Sequence, residues 1–515
     1  MKKIISLLLC LSILAGLLSG CGVDSAEAYI PTGDALAGED DALTPQATEG
    51  TSAQELMLAY YPDHSLNPFL CIDYTNRVLF SLVYQGLFSV DRDYNPIPML
   101  CSRYSASEDG RSYTFYLEQA TFSDGTVLSS ADVLASYQAA RESAYYKGRF
   151  LHIQDIFLAE DGGITFTLDT AYADLPILLD IPIVKAGDVA TEMPTGTGPY
   201  FFEQGSSGLR LRRRTDWWCQ ANLQVSAPVV SLSPQDSVTG IRDAFEFSNV
   251  GLVCADPGSA DYADYRSDYE LWDCETGNFL YLACNMSSPL FSIPELRSAL
   301  TYAIDRDALA EEFFRGFGHS ASLPASPNSP YYSTSLAENY SYNPEKFTQA
   351  VSQAGVTGQP LRLLVNKNDT LRLRAARSIS KMLFDAGFAV TLLEQSGDDY
   401  MYTLNTKEYD LYLGQTRLSA TMDLTSFFSS KGALRYGGLS DAAINAMCME
   451  ALANRGNYLT LHKMIMDDGR LCPILFSNYS ILATRGLITG LNPARDNIFC
   501  YSVGKTAADC LIPAE

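Results

Sequence analysis

Histidine and cysteine build many metal and catalytic sites, and this chain keeps both residue types far apart. The four histidines, at positions 64, 152, 319 and 462, occur singly, and no two are four residues apart. The twelve cysteines include no C-x-x-C pair, and the chain has no G-x-S-x-G or H-E-x-x-H motif. These patterns do not support a zinc site, thiol redox chemistry or a hydrolase triad. We therefore predict no catalytic activity and no cofactor.

Cys21 is the exception, because its surroundings indicate a modification. Two lysines and then an apolar run at 4–18 begin the chain. The run is short for a membrane span, so residues 1–20 are predicted to be a signal peptide. The sequence L-S-G-C at 18–21 resembles the bacterial lipobox, in which the cysteine receives diacylglycerol and becomes the mature N-terminus. The alternative is an ordinary signal peptide with an incidental cysteine.

Residues 21–54 have the composition of a flexible acidic tether. Seven acidic residues and no lysine or arginine occur between positions 22 and 54, among many Ala, Gly, Thr and Ser. Such a segment buries too little apolar surface to offset its chain entropy. The lipobox and the tether together place a body of about 460 residues at the outer face of a membrane.

The charge balance of the whole chain excludes one class of partner. Lys plus Arg total 36 against 60 Asp plus Glu, for a formal net charge of −24. A field of this sign repels phosphate backbones, so nucleic acid is not a partner. Apolar residues make up 47% of the 515 residues, which is enough for a large core. Several of the cysteines after Cys21 lie in apolar runs, and we predict that they are mostly reduced and buried.

The periodicity of the chain predicts an α/β fold. A hairpin is predicted around the turn E-D-G at 108–110, followed by a helix that starts within S-S-A-D at 129–132 and runs toward Arg141. Strands at 361–365, 388–393 and 409–414 alternate with a helix at 371–386, which is typical of a largely parallel sheet. No repeat of 20 to 50 residues is present, so solenoids and propellers are not expected.

Five segments, in order along the chain, resemble the family 5 extracellular solute-binding proteins of ABC importers. This family includes dipeptide-, oligopeptide- and nickel-binding proteins. The segments are L-N-P (66–68) with L-V-Y-Q-G-L-F (82–88), S-E-D-G (107–110) with F-S-D-G-T (122–126), G-T-G-P-Y (196–200) with D-W-W (216–218), L-R-S-A-L-T-Y-A-I-D-R (296–306), and Y-N-P-E-K (342–346). The resemblance implies an α/β two-lobe clamp of the periplasmic-binding-protein type (class II) with an additional inserted domain.

The resemblance also implies domain boundaries. Lobe I would comprise 55–85, 190–280 and 482–515, the inserted domain II would comprise 86–189, and lobe III would comprise 281–481. The chain would cross between lobes near 281–285 and 478–484, and these crossings would form the hinge.

The segment after the third predicted strand is the candidate ligand site. The family's peptide binders carry a segment like G-W-x-x-D-x-x-D-P there, whose first Asp pairs with the peptide ammonium. In this chain the second acid corresponds to Asp423, but the ammonium-pairing position is Ala420. The resemblance therefore implies that recognition depends little on a free N-terminus. Gln415 and Thr416 belong to the same candidate loop.

Arginines and a tyrosine turn complete the candidate site. Arg417 could meet a ligand carboxylate as a planar two-pronged donor, or it could pair with Asp423 or be solvated. Arg372, with its neighbour Arg374, could reach the cleft or lie on a solvated helical face. In relatives the turn that contains Tyr61 and Asp63 faces the cleft, which implies that these residues line it.

The predicted function is that of a lipid-anchored, extracytoplasmic substrate-binding protein. A peptide or similar small solute would be captured between two lobes and delivered to an ABC permease, by a population shift and without chemistry. We expect a monomer whose only membrane contact is the lipid. A secreted lipoprotein hydrolase and a surface sensor or adhesin with the same binding fold are the alternatives.

Overall fold

The computed structural model describes residues 56–513, except 220, 222, 489 and 496. The predicted signal peptide, the tether and Cys21 lie outside the described residues. The strands are β1 Met57–Tyr60, β2 Phe88–Val90, β3 Pro96–Pro98, β4 Cys101–Ala106, β5 Ser112–Leu117, β6 Ile153–Leu158, β7 Ile164–Leu168, β8 Tyr200–Gly205, β9 Gly208–Arg213, β10 Val229–Pro234, β11 Leu252–Ala255, β12 Tyr269–Cys284, β13 Gly318–Ser320, β14 Pro360–Asn366, β15 Ala389–Gln395, β16 Leu411–Arg417 and β17 Leu471–Thr484.

Helices cover or connect these strands. They are α1 Tyr74–Val83, α2 Ser130–Glu142, α3 Val238–Glu246, α4 Pro294–Ala299, α5 Arg306–Phe314, α6 Thr334–Ala337, α7 Pro344–Gln353, α8 Thr370–Asp385, α9 Gly397–Thr406, α10 Thr425–Phe428, α11 Ala442–Ala453, α12 Tyr458–Asp468 and α13 Ala507–Cys510. Among the described residues, every helix is too short or too polar to traverse a bilayer.

Two long antiparallel strands, β12 and β17, form the middle of the large sheet. They pair from Tyr269 opposite Thr484 to Ala283 opposite Leu471. Strands β16, β14 and β15 extend the sheet on one side of this pair, and β11, β1, β10, β9 and β8 extend it on the other. Both halves of the sheet therefore share β12 and β17, which are the strands that connect them.

The pairing of β12 with β17 is interrupted at a bulge. The register shifts between Glu275 and Asn278, and Gly277 within the bulge has a φ of 74°. This is the left-handed region that glycine adopts without steric cost, and such bulges bend the strand that carries them. The bulge lies a few residues before the crossing that the sequence predicts at 281–285.

A separate four-stranded antiparallel sheet, in the order β4-β5-β7-β6, lies entirely within residues 101–168. Helix α2 precedes β6 in the chain and packs on this sheet. The helix begins with a capping box, in which Ser129 and Asp132 satisfy each other's backbone N–H groups. All of this sheet falls within the segment 86–189, and the domain boundaries implied by the resemblance remain a prediction.

Strands β14 and β16 are buried on both faces, as expected for parallel strands covered by helices. Leu363 and Leu413 belong to one buried cluster, whereas their neighbours Leu364 and Tyr412 belong to another on the opposite face. The helix and strand predicted at 371–386 and 361–365 agree with α8 and β14 to within one residue at each end. Local periodicity was sufficient here.

The predicted end of the third strand was wrong. The sequence predicts a strand that ends at 414 and a loop that contains Gln415, Thr416 and Arg417, but β16 continues to Arg417. The reason is long-range pairing: β12 offers partners up to Asn278, which lies opposite Arg417. These three candidate residues are therefore held by a sheet, whereas the loop begins at Leu418.

Candidate functional site

A cavity of about 420 Å³ lies where the end of β16 faces the segment after α2. This volume suits a small organic solute. Two segments of the chain, 144–180 and 416–434, line the cavity, together with one residue of the C-terminal segment. The lining residues are Ala144, Tyr145, Lys147, Gly148, Arg149, Leu151, Ile177, Leu178, Asp180, Thr416, Arg417, Leu418, Ser419, Ala420, Asp423, Ser426, Ala433, Leu434 and Arg495.

Arg417 lies opposite Asn278 in the last residue pair between β12 and β16. Its Nε donates to the backbone oxygen of Thr276, 2.8 Å away, at the bulge of β12. Its guanidinium carbon lies 4.5 Å from the centre of the Tyr145 ring, a cation–π contact. The guanidinium carbon of Arg77, in α1, lies 3.2 Å from the centre of the same ring. Tyr145 thus contacts cations from two other parts of the fold.

Asp423 is bound by His152 and by the backbone of its own loop. Its Oδ2 lies 3.2 Å from Nε2 of His152, and its Oδ1 accepts the backbone N–H of Thr425 at 2.8 Å. The other ring nitrogen of His152 lies 2.9 Å from Asp169. The side chains of His152 and Asp423 are each 8% exposed. Asp423 therefore joins the wall of the cavity to the four-stranded sheet.

The pKa of His152 is raised and the pKa of Asp423 is lowered, and each shift favours the charged form of its residue. Burial lowers the pKa of His152, but the hydrogen bonds and charges of Asp423 and Asp169 outweigh burial and leave it above 6.5. Burial raises the pKa of Asp423, but the hydrogen bond and charge of His152 outweigh burial and leave it below 3.8. The pair is therefore an ion pair at mildly acidic pH.

Further contacts connect residues 172–174 with the segment 331–458. Asp174 accepts two bonds from Arg455, at 2.7 and 3.1 Å, and one from the hydroxyl of Tyr331 at 2.9 Å. The hydroxyls of Tyr172 and Thr421 lie 2.6 Å apart. These contacts join the segment 172–174 to the segment 331–458.

Arg149 and Asp180 form a second buried ion pair inside the cavity wall. Nη2 of Arg149 donates to Oδ2 of Asp180 at 2.8 Å, Nε lies 2.7 Å from Oδ1, and both side chains are about nine-tenths buried. A hydrogen bond between two charged groups is stronger than one between neutral groups. The carboxylate of Asp180 is consequently occupied by the chain's own arginine.

The structure brings three of the sequence-predicted site residues to this cavity and places the others elsewhere. Thr416, Arg417 and Asp423 line it. Gln415 is exposed on β16, directly before the lining residue Thr416.

The remaining candidates lie away from the cavity. Arg372 donates its backbone N–H to the N-cap residue Asp369 at 2.8 Å, and its Nη2 donates to the same carboxylate at 3.0 Å. Tyr61 packs in a small cluster with Ile241 and Phe245, and Asp63 is exposed in the turn that follows. The ligand-binding roles of all the candidate residues remain predictions. The geometry favours the candidates that line the cavity.

Sequence reasoning missed the lining residues outside the loop. Lys147 and Arg149 flank Gly148, and such a basic K-G-R triplet in an acidic chain is a signal that could have identified them. Arg495 had no comparable signal, because only the path of the C-terminal segment brings it to the cavity.

The cysteines and possible metal ligands add no second site. All ten described cysteines are free thiols, and eight are buried. Burial raises the pKa of most of them, as for Cys254 and Cys284, so these thiols are unreactive. Within the described residues, no group of three or more His, Cys, Asp or Glu side chains is arranged to hold a metal ion.

Comparisons with known sequences identify one family. The sequence model described as Bacterial extracellular solute-binding proteins, family 5 Middle, matches residues 95–434. The dipeptide-binding protein of Escherichia coli (strain K12) is 26% identical over 300 residues, which are 50% of this chain and 55% of that protein. The chain thus matches a little over half the length of this relative.

Solved structures establish the fold. The PBP AgaA from A. tumefaciens R10, in complex with agropinic acid, has a TM-score of 0.64 and 21% identity, covering 88% of this chain and 99% of that chain. A putative peptide binding protein, AppA from Clostridium difficile, has a TM-score of 0.72 and 16% identity, covering 86% and 98%. The predicted α/β two-lobe fold of the periplasmic-binding-protein type is confirmed.

Proposed function

Because this chain belongs to the bacterial extracellular solute-binding proteins of family 5, we propose that it captures a peptide or a similarly small solute and delivers it to the permease of an ABC importer. The observation that carries the proposal is the 420 Å³ cavity, which two separate parts of the chain line from opposite sides. A solute in such a cavity contacts both walls at once and so stabilises their closed arrangement. Binding and release then suffice, and we propose no chemical step.

The edge of β16 supports a peptide as ligand. Among the described residues, β14 pairs with β16 only at Leu411 and Tyr412, and the stretch from Gly414 to Arg417 has its ladder partner in β12 alone. An extended peptide can add to such an edge through main-chain hydrogen bonds. Thr416 and Arg417 lie on this stretch and also line the cavity.

Native mass spectrometry of the protein as purified is the direct test of the proposed function. We expect a retained solute whose mass fits a cavity of about 420 Å³. The same solute, once removed, should rebind and raise the melting temperature, because a ligand that binds only the folded state stabilises it. Absence of any retained solute, together with no binding from a panel of di- and tripeptides, would refute the proposal.

Arg417→Ala is expected to weaken binding of a ligand that carries a carboxylate by about 2 to 5 kcal/mol, because the carboxylate loses a charged partner inside the cavity. N-acetylation of the ligand should have little effect, since Ala420 stands where an acid would pair with an ammonium. Calorimetry with the identified ligand and its N-acetylated and C-amidated forms measures both effects.

The matched control is Arg377→Ala, because Arg377 is exposed on α8 and pairs with Glu394. This variant should bind as the wild type does. If Arg417→Ala also keeps full affinity, or if N-acetylation alone causes a large loss, the recognition charges have been assigned wrongly.

Cys21→Ser is expected to release the protein from membranes, because we propose that the lipid on Cys21 is the only anchor after the signal peptide is removed. Fractionation of cells that express each form, followed by a high-salt wash, measures the effect. A variant that still sediments with membranes after the wash would contradict lipid anchoring, and the solute-binding proposal would be unaffected.

A further inference from the structure

The charge of the cavity is opposite to the charge of the protein. The described lining residues include four cations, Lys147, Arg149, Arg417 and Arg495, and two acids, Asp180 and Asp423. Their formal sum is +2, in a chain whose net charge is −24. The positive lining is thus a local property, and a concave site of one sign concentrates solutes of the other.

Both acids of the lining are already bound by other groups of the protein. Asp180 is ion-paired with Arg149, whose Nη2 donates to Oδ2 of Asp180. Asp423 is held by His152 and by the backbone of Thr425. A zwitterionic solute brings no net charge and would leave the excess in place, whereas a solute with a net negative charge removes it.

Arg495 is a lining cation with a side-chain donor that has no partner among the described residues. Its side chain is about nine-tenths buried, and its Nη2 donates to the backbone oxygen of Leu418 at 2.6 Å. Its Nη1 is buried and has no hydrogen-bond partner among the described residues. A buried charged donor left without an acceptor is costly, so an arrangement that supplies an acceptor is favoured.

The nearby carboxylate of Glu275 does not supply an acceptor for Nη1 of Arg495. Glu275 borders a small separate cavity together with Arg495. Its oxygens already accept from Tyr94, from Ser326 at 3.2 Å and from Asn328 at 2.5 Å. No ion pair within 4.0 Å joins Arg495 to a carboxylate in the described part of the chain.

We propose that the cavity selects solutes with a net negative charge, such as acidic dipeptides or dicarboxylates of similar size, and that Arg495 is the residue that sets this preference. This inference rests on the proposed solute-binding function and narrows it to one chemical class. Closure around a neutral solute leaves Nη1 of Arg495 buried and unpaired. Closure around a solute with an additional carboxylate, after a small shift of the guanidinium, gives Nη1 an acceptor.

Two nearly isosteric dipeptides test the charge preference. Glu-Glu and Gln-Gln have the same backbone and both termini, and they differ in side-chain charge. With the full-length wild-type protein, calorimetry should show that Glu-Glu binds at least tenfold more tightly than Gln-Gln. The comparison uses no variant, so it holds even where a substitution at Arg495 impairs folding. A further arm with C-amidated Glu-Glu should retain most of the preference, because the preference is assigned to the side-chain carboxylate.

The role of Arg495 is tested by Arg495→Met, which keeps the length of the side chain and removes its charge. The variant should lose the preference for Glu-Glu, whereas Arg485→Met, at an exposed arginine that pairs with Asp268, should retain it. Equal affinity of the wild type for both dipeptides, or an unchanged preference in a folded Arg495→Met protein, overturns the inference and leaves solute binding intact. Failure to bind either dipeptide while another solute is retained overturns it as well. Failure to bind any solute overturns the proposed function itself.

Discussion

Asp423→Ala is expected to lower the free energy of unfolding by about 2 to 3 kcal/mol at pH 5.5, because the substitution leaves the buried imidazolium of His152 with one carboxylate in place of two. The lost contact joins the cavity wall to the four-stranded sheet, so solute affinity should fall as well. Urea denaturation of both proteins at the same pH measures the stability. The control is Asp169→Ala, which removes the other partner of His152. The side chain of Asp169 is 42% exposed, and we expect a loss below about 1 kcal/mol.

The pH dependence of the same pair gives an independent readout. The pKa of His152 is raised in the folded protein, so its contribution is fully present below about pH 6.5 and is lost as the pH rises through the folded value. The pKa of Asp423 is lowered, so its contribution is present above about pH 3.8 and is lost only as the pH falls through its folded value. Wild-type stability relative to Asp423→Ala should therefore be greatest between about pH 4 and 6.5. Parallel stability curves from pH 5.5 to 8.5 would contradict the ion pair.

Gly277→Ala is expected to destabilise the protein by about 2.5 to 5 kcal/mol, for two reasons that add. The φ of 74° costs a residue with a Cβ atom about 1 to 2 kcal/mol. The new Cβ would also lie 2.5 Å from Nη1 of Arg495. The guanidinium must then move and weaken its charged hydrogen bond to Leu418, at a cost of about 1.5 to 3 kcal/mol.

The control Gly486→Ala separates the cost of the backbone conformation from the cost of the contact with Arg495. Gly486 has nearly the same φ, 76°, but a Cβ there would meet nothing within 4 Å. This control should lose only the conformational term, about 1 to 2 kcal/mol. Thermal and urea denaturation of both variants measures the difference. If the two substitutions cost the same, Arg495 does not pack against the bulge as described.

The local sequence identified some of the site residues, but the contacts of these residues depend on partners that are distant in the chain. The sequence marked Asp423, Thr416 and Arg417 as candidates, and all three line the cavity. It did not reveal that Asp423 is bound by His152, which lies 271 positions away in the chain. It also placed Arg417 in a loop, whereas pairing with Asn278 makes it a strand residue. Each error concerns a partner that is distant in the chain.

Local patterning was enough to predict the α/β class, the helix that became α8 and the strands that became β14 and β15, because hydrophobic periodicity and caps act within a few residues. Composition alone predicted a body that does not bind nucleic acid, because net charge is a sum over residues. The tertiary structure decided which cations and acids share the cavity. Arg495, Arg149 and Arg417 come from three distant segments, and no local pattern encodes their meeting. Only the folded chain brings these three charges together, because their distances depend on strand pairing across the whole sheet and not on spacing in the sequence.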